Sequence, residues 1–512
     1  MATAPEVLTP TPPAAPPRPP GRRMARDVAW TLAGQAWPLA VGILAMRPLV
    51  RGLGDDRFGL LTIAWLFVGY LGLFDLGLGR VLTKVVAERI AQGRAGEVRG
   101  LVEIALALML ALGAIGAALG AAAVPTLVGR VLSVPPGLQA EGRRAMWLLA
   151  VSLPFVVGAS GLRGVLEAQR RFGVVNVVNA LSGTYTYLGP LAVLSFAPGL
   201  VPAVAALLAG RVILMGVYMV LCFGSLPRKP AARPVDVGEL GSLLRLGGWM
   251  TVTNVVSPVM VYLDRLMIGA AVAVGAVTYY AVPYDAVTRL SIIPSAIARV
   301  LFPAFAAGFA ADPSRVGVLY GRGLKASAIA LVPIAWAVAV LAPEGLSLWM
   351  GPEFARRGTV VLRWLAAGVA ANGVAQVPFL LLQGRGRADL TARLHLAELV
   401  VYLPALWLLI RARGVEGAAI AWTLRAAADA AALLALAGRG LVGAPRRAVV
   451  APLAACALPL VSLALPTMPL ATKAACLTLS LAAMGVGAWS FVLSADDRAA
   501  LLGDRRLREV PT

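Results

Sequence analysis

The sequence predicts an all-α polytopic membrane protein of about fourteen transmembrane helices, built as two six-helix lobes and a C-terminal hairpin. Three observations predict it. Hydrophobic residues make up 59% of the 512 and charged residues only 14%, against roughly a quarter charged in a soluble domain. Apolar runs of roughly 20 residues, enough to span hydrocarbon as a helix, follow one another almost end to end. The surplus of Lys and Arg, a net charge of +21, gathers in alternate connections between those runs, as the positive-inside rule requires.

Taken in order, residues 1–26 open with MATAPEVLTPTPPAAPPRPPGRR. This stretch is Pro/Ala-rich and lacks an apolar centre, so it reads as a disordered cytoplasmic tail and not a signal peptide. An N-terminal lobe over 27–224 follows, with spans at 28–50, 58–79, 101–123, 146–166, 174–196 and 199–223. Residues 225–246 form a basic interlobe loop. The C-terminal lobe, 247–440, carries spans at 247–268, 276–300, 324–343, 360–382, 389–410 and 415–437. A hairpin over 441–495, with spans at 448–470 and 474–494, leads into a cytoplasmic tail at 496–512. The halves repeat at an offset of roughly 220 residues: Trp37-Pro38 in the first span answers Ser257-Pro258 in the seventh. Parallel repeats of this kind face one another across a central cavity, which is a transporter plan. Gly116 and Gly120, and Gly158, Gly161 and Gly164, are candidates for close helix packing.

With the N-terminus inside, cytoplasmic loops hold about 28 Lys/Arg and the opposite loops about 11. Clusters at Arg18–Arg26, Arg80–Arg99, Arg228–Arg245, Arg439–Arg447 and Arg498–Arg508 carry that bias, so both termini are expected in the cytoplasm of a bacterial inner-membrane protein. No folded soluble domain remains to present a basic face to nucleic acid. Cys222, Cys456 and Cys476 lie in apolar runs with neither disulfide nor zinc spacing. His395, the one histidine, cannot build a multi-histidine metal site; it suits ordinary packing better than a proton relay.

Nucleotide-binding and hydrolase motifs such as GxxxxGK[ST], GxSxG and HExxH are absent. The longest outer loops, 124–145 and 344–359, lack paired carboxylates for acid/base work. The chain is therefore expected not to be an enzyme and to need no cofactor beyond possible coupling to H⁺ or Na⁺. Ionisable residues inside spans remain, each a functional candidate because hydrocarbon penalises charge: Arg47, Asp75, Arg163, Arg211, Asp264, Arg265, Asp285, Arg289, Arg425 and Asp429. Arginine dominates, and its planar fork matches phosphate or carboxylate. Asp285 with Arg289 and Arg425 with Asp429 are four apart and can neutralise each other along one helix face. Arg265 can snorkel from the outer end of its span, and Arg47 occupies the matching depth in the first half. Asp75 suits either an ion-coupling site or a hydrogen bond to a neighbouring helix.

Two stretches resemble a known family. GLGDDRFGLLTIAWLFVGYLGLFDLGLGRVLTKVVAERIAQG (52–93) is similar to the bacterial polysaccharide-biosynthesis flippases in its Gly-acidic-x-x-Gly turn and its span ending Asp-Leu-Gly. Residues 247–306 resemble the seventh and eighth spans of that family, with Trp249, Asn254, Pro258, Asp264-Arg265, Tyr280, Pro294 and Pro303 in register. The resemblance implies the Wzx-type branch of the multidrug/oligosaccharidyl-lipid/polysaccharide (MOP) exporter superfamily, with a MATE-like fold and alternating access. It implies transfer of undecaprenyl-diphosphate-linked oligosaccharide to the periplasmic leaflet, for O-antigen, capsule or exopolysaccharide. The implied partners are that lipid, the surrounding membrane and the polymerase and chain-length machinery. By analogy, Arg47, Arg211, Arg265 and Arg289 form the anion clamp, and Asp75 and Asp264 the ion-coupling site. Alternatives are a MATE-type drug/cation antiporter, which favours cavity carboxylates, a lipid II flippase, which shares the two extra helices, and more remotely a membrane-embedded glycosyltransferase or polymerase.

Overall fold

The computed structural model describes residues 37–71, 78–227, 263–439, 446–465, 468–493 and 498, with 39 and 312 excepted. Asp75, most of the interlobe loop and the greater part of the expected seventh span lie outside the described residues. Every regular element among those described is helical. The first half runs α1 (40–53), α2 (Asp55–Leu71), α3 (Leu78–Ala91), α4 (Ala95–Thr126), α5 (Gln139–Val151), α6 (Leu153–Ala168), α7 (Phe172–Leu194) and α8 (Leu200–Ser225). The second runs α9 (263–271), α10 (Ala276–Thr288), α11 (Ile292–Ala311), α12 (Pro313–Val340), α13 (Ala342–Trp349), α14 (Pro352–Gly384) and α15 (Ala388–Gly438). Short helices α16 (Arg446–Ala455) and α17 (Leu458–Val461) and the longer α18 (Leu470–Gly487) complete it.

Seven helices among the described residues are long and apolar enough to cross a membrane. The outer surface is apolar too. Leu44, Phe196, Val220, Val400 and Leu479 all stand largely exposed, a surface that water penalises and lipid accepts. This is a multi-pass membrane protein.

Breaks in the helices fall where the chain loses a backbone donor or gains conformational freedom. The expected span 146–166 divides at Ser152 into α5 and α6, with Pro154 in the first turn of α6. The expected span 276–300 divides at a 3₁₀ turn, Arg289–Ser291, ahead of Pro294. Within α15, Gly414 adopts φ 58°, ψ −133°, a conformation open to glycine and few others. That turn makes α15 two antiparallel helices, 388–413 and 415–438, close to the spans the hydropathy predicts.

The repeat is visible in matched starts: α2 with α10, α4 with α12, α5 with α14, α7 with the first part of α15. At one end the halves share a core, in which Phe58, Met146 and Leu200 pack with Val274, Leu346 and Trp422. Toward the other end each half keeps its own cluster, Leu82 to Leu226 in the first and Leu301 to Cys456 in the second. Among the described residues the halves are therefore closed at the end bearing Asp55 and parted at the end bearing Arg89.

A polar seam locks the closed end. Tyr279 donates to Asp55 Oδ2 (2.5 Å), Thr278 to the Asp55 carbonyl (2.9 Å) and Trp349 to the Ile43 carbonyl (2.8 Å). The Ser133 amide donates to the Gly269 carbonyl (2.8 Å), and its hydroxyl to that of Ala270 (2.9 Å). Gly59 meets the Val274 carbonyl so closely that a Cβ there would lie 1.8 Å from the oxygen. The small residues expected to pack do so selectively: Gly161 and Gly164 of α6 abut Met109 and Gly79, whereas Gly120 has only ordinary contact with Ala150. The C-terminal α18 is tied to the second half by Lys473 to Glu344 (2.6 Å) and by Trp336 to Ser480 (2.8 Å).

Candidate functional site

Between the halves lies a cavity of about 1040 Å³. Four helices of the first half wall it, α2 contributing Trp65. From α6 come Phe155, Ser160 and Arg163, from α7 Asn179, Ser182, Thr184 and Thr186, and from α8 Arg211 and Tyr218. The row of hydroxyl and amide side chains on α7 is unusual for a spanning helix and is explained by the aqueous space it faces. Its far wall is made by Arg265 of α9, Asp285 of α10 and Arg289 at the end of α10.

Arg211 donates to Ser152 Oγ (2.6 Å); Ser152 in turn donates to the Leu149 carbonyl (2.6 Å) at the α5–α6 break. Among the described residues Arg211 has no carboxylate partner. One of five guanidinium donors is thus engaged, leaving most of the fork turned to the cavity. Arg289 donates to the Tyr187 hydroxyl (3.0 Å) and to the Asp285 carbonyl (3.2 Å), again with no carboxylate. Arg265 is buried, pairs with Asp285 at 2.5 Å and lies over the Tyr284 ring at 5.5 Å. The wall therefore carries more guanidinium than carboxylate and can bind an anion by charge-assisted, forked hydrogen bonds.

Several sequence expectations are corrected. Asp285 does not pair with Arg289 along one face: α10 gives way to the 3₁₀ turn at Arg289, which breaks the i,i+4 relation, and the carboxylate takes Arg265 instead. Arg425 and Asp429 also find partners across, not along, the helix. Arg425 lies 3.8 Å from Glu398, and Asp429 3.6 Å from His395, because the Gly414 turn folds the two parts of α15 against each other. Arg265 does not snorkel; it is held inside. Arg47 is absent from the cavity wall and donates to the Leu348 carbonyl (3.1 Å) in the seam. Asp264 is buried on the side away from the cavity, where the Tyr280 hydroxyl donates to it.

The structure thus brings together Arg211, Arg265 and Arg289 and sets Arg47 and Asp264 apart. Glu398 escaped the sequence reading, although a carboxylate well inside the expected span 389–410 was signal enough. Tyr187 and Ser152 carried no signal, since hydroxyls are common in spans. His395, Glu398 and Asp429 place their ligand atoms within 4.8 Å of one another. They are the group among the described residues that could hold a cation.

Residues 49–357, more than half the chain, match the family described as polysaccharide biosynthesis protein. The chain belongs to that family. This polysaccharide biosynthesis protein is 29% identical over 417 residues to a Shigella flexneri protein named for O-antigen transport, a match covering 79% of the chain and 95% of the relative. It is 22% identical to the lipopolysaccharide biosynthesis protein WzxC of Escherichia coli (strain K12), over 73% of the chain and 74% of the relative. Among solved structures it resembles an inward-facing MATE-family multidrug transporter of the MOP superfamily, with TM-score 0.67, 15% identity, and coverage of 82% of this chain and 98% of that one. It also resembles the lipid II flippase MurJ in an inward closed conformation, with TM-score 0.72, 12% identity, and coverage of 92% and 100%. The expected MOP fold is the observed one. Family and relatives place the polysaccharide biosynthesis protein among polysaccharide flippases and not among enzymes.

Proposed function

We propose that this protein carries a lipid-linked oligosaccharide, of the undecaprenyl-diphosphate-linked class, from the cytoplasmic to the periplasmic leaflet of a bacterial inner membrane. The observation that carries the reading is the cavity in which Arg211 and Arg289 have no carboxylate partner among the described residues, beside the Arg265–Asp285 pair. A guanidinium with unused donors inside a membrane span is costly unless an anionic group completes it, and a diphosphate offers paired oxygens at the spacing the fork requires. The volume of about 1040 Å³ exceeds what a small drug needs and suits a glycan. Arg211, Arg265 and Arg289 contact the diphosphate; Arg47 belongs to the seam that must open for release.

In this reading both termini are cytoplasmic, the parted end faces the cytoplasm and the seam faces the periplasm. The lobes are 27–224 and 247–440, joined by 225–246, with the hairpin 441–495 appended. Transport proceeds by alternating access and is ion-coupled, with Asp264 and Asp75 as coupling residues. A polymerase and its chain-length partner receive the product.

Deletion of the gene with measurement of lipid-linked oligosaccharide and surface polysaccharide tests this. Accumulated lipid-linked sugar and lost polysaccharide, restored by the wild-type chain but not by Arg211→Ala with Arg289→Ala, is expected. Unchanged pools with new sensitivity to cationic drugs would move the protein to drug export. A cytoplasm-dependent reporter fused within Ser225–Arg245 or after Asp496 should be active, and silence at both sites would reverse the orientation.

A further inference from the structure

We propose that the second half holds a proton-binding cluster, His395, Glu398 and Asp429 with Arg425, set apart from the cavity and linked to it through Asp264-Arg265. The proposal rests on the ion-coupled transport reading above and deepens it by naming the ion and its site.

The cluster lies where the two parts of α15 cross. His395 Nε2 is 3.6 Å from Asp429 Oδ1, and Arg425 Nη1 is 3.8 Å from Glu398 Oε2. The ligand atoms of His395, Glu398 and Asp429 all fall within 4.8 Å of one another. Asp429 has a side chain only 7% exposed, and among the described residues its Oδ1 has no hydrogen bond; both Glu398 oxygens and Arg425 Nε are buried without one as well.

Charge balance names the occupant class. The facing groups are Arg425 and Asp429 from the second part of α15, His395, Glu398 and Tyr402 from the first, Asp264 from α9, and Tyr280 and Tyr284 from α10. From α14 comes the Phe379 ring stacked on His395. Three carboxylates therefore stand against one guanidinium in a membrane interior, which requires added positive charge. A metal ion fits poorly. The helical carbonyls of α15 are spent in the helix, one imidazole and two carboxylates are on offer, and Arg425 already sets a positive charge beside Glu398. A proton needs a single acceptor: taken up by Glu398 or Asp429 it neutralises one of two crowded carboxylates, and the His395 imidazole beside them exchanges protons near neutral pH.

Position makes the cluster useful. Both parts of α15 have their free ends at the parted side, so His395, 26% exposed, forms the rim. Glu398, Asp429, Arg425 and Tyr402 lead inward over roughly 10 Å of helix to Asp264. Asp264 and Arg265 are neighbours on α9 that face opposite ways, the one to the cluster and the other to Asp285 in the cavity. A proton bound at the cluster thus alters the charge at the far end of a polar row that leads to Asp264, the chain neighbour of Arg265 in the anion wall.

Infrared pH-difference spectra of the full-length protein in detergent test the site with no glycan present. Between about pH 9 and pH 5 the wild type should gain a carboxyl C=O band that Glu398→Gln and Asp429→Asn each remove, while Asp264→Asn keeps it. His395→Gln should move its midpoint by about half a unit or more. Should a variant fail to fold by gel filtration, Asp429→Glu should shift the band instead of removing it. A band that survives both amide substitutions overturns the proposal, and so does one abolished by replacing KCl with NaCl, which would mean a metal ion. A protein that titrates as described but moves no lipid-linked glycan refutes the transport reading and leaves the proton site standing.

Discussion

Arg211 gives the sharpest test of the anion wall. Its one partner among the described residues is Ser152 Oγ at 2.6 Å, and Ser152 keeps its own bond to the Leu149 carbonyl when the guanidinium is removed. Arg211→Ala therefore leaves no carboxylate stranded, and the fold should change in stability by no more than about 1 kcal/mol. A bound diphosphate, by contrast, loses a two-pronged charge-assisted contact. Two such bonds, net of water, are worth about 3 kcal/mol, or roughly 150-fold in Kd. Lysine restores the charge without the fork, so Arg211→Lys should recover about a tenth of wild-type affinity. The assay is titration of a prenyl diphosphate into the detergent-purified protein, with thermal unfolding run on the same samples. A Kd within about threefold of wild type for Arg211→Ala would refute the clamp. So would collapsed thermal stability with unchanged affinity, which would make Arg211 a structural residue.

Other perturbations probe the surroundings. Asp285→Asn frees the buried Arg265 from its 2.5 Å partner, so prenyl diphosphate should bind more tightly, by about tenfold, and stabilise the variant more than the wild type in thermal unfolding. Gly59→Ala places a methyl against the Val274 carbonyl and cannot accept the closed seam. A Ser133→Cys/Ala270→Cys pair, efficiently cross-linked in the parent, should then cross-link poorly while expression in the membrane is retained. Lys473→Ala leaves Glu344 without its 2.6 Å partner; the cost of about 1–3 kcal/mol should appear as faster proteolysis between α17 and α18, with the rest of the chain resistant.

The sequence by itself determined what depends on local composition. Apolar runs longer than a bilayer needs, separated by charged connections, leave a helix as the one conformation that satisfies each run's backbone in lipid. Helical character, membrane residence and the doubled architecture were legible for that reason. Even the turn inside α15 was visible as a dip in hydropathy around Arg411–Gly414. Residue pairing was another matter. Spacing along one helix suggested Asp285 with Arg289 and Arg425 with Asp429, yet each carboxylate found its partner on another helix. In a low-dielectric interior a charge takes the nearest well-aligned opposite group in three dimensions, and helix crossing decides which that is. The same packing carried Arg47 into the seam and turned Asp264 away from Arg265's cavity, though sequence gave all three similar depths. It also drew Glu398 and the solitary His395 into one cluster from positions with no shared pattern. Helices follow from the chain's local chemistry; the site follows from which faces those helices present to one another, and only the tertiary structure decides that.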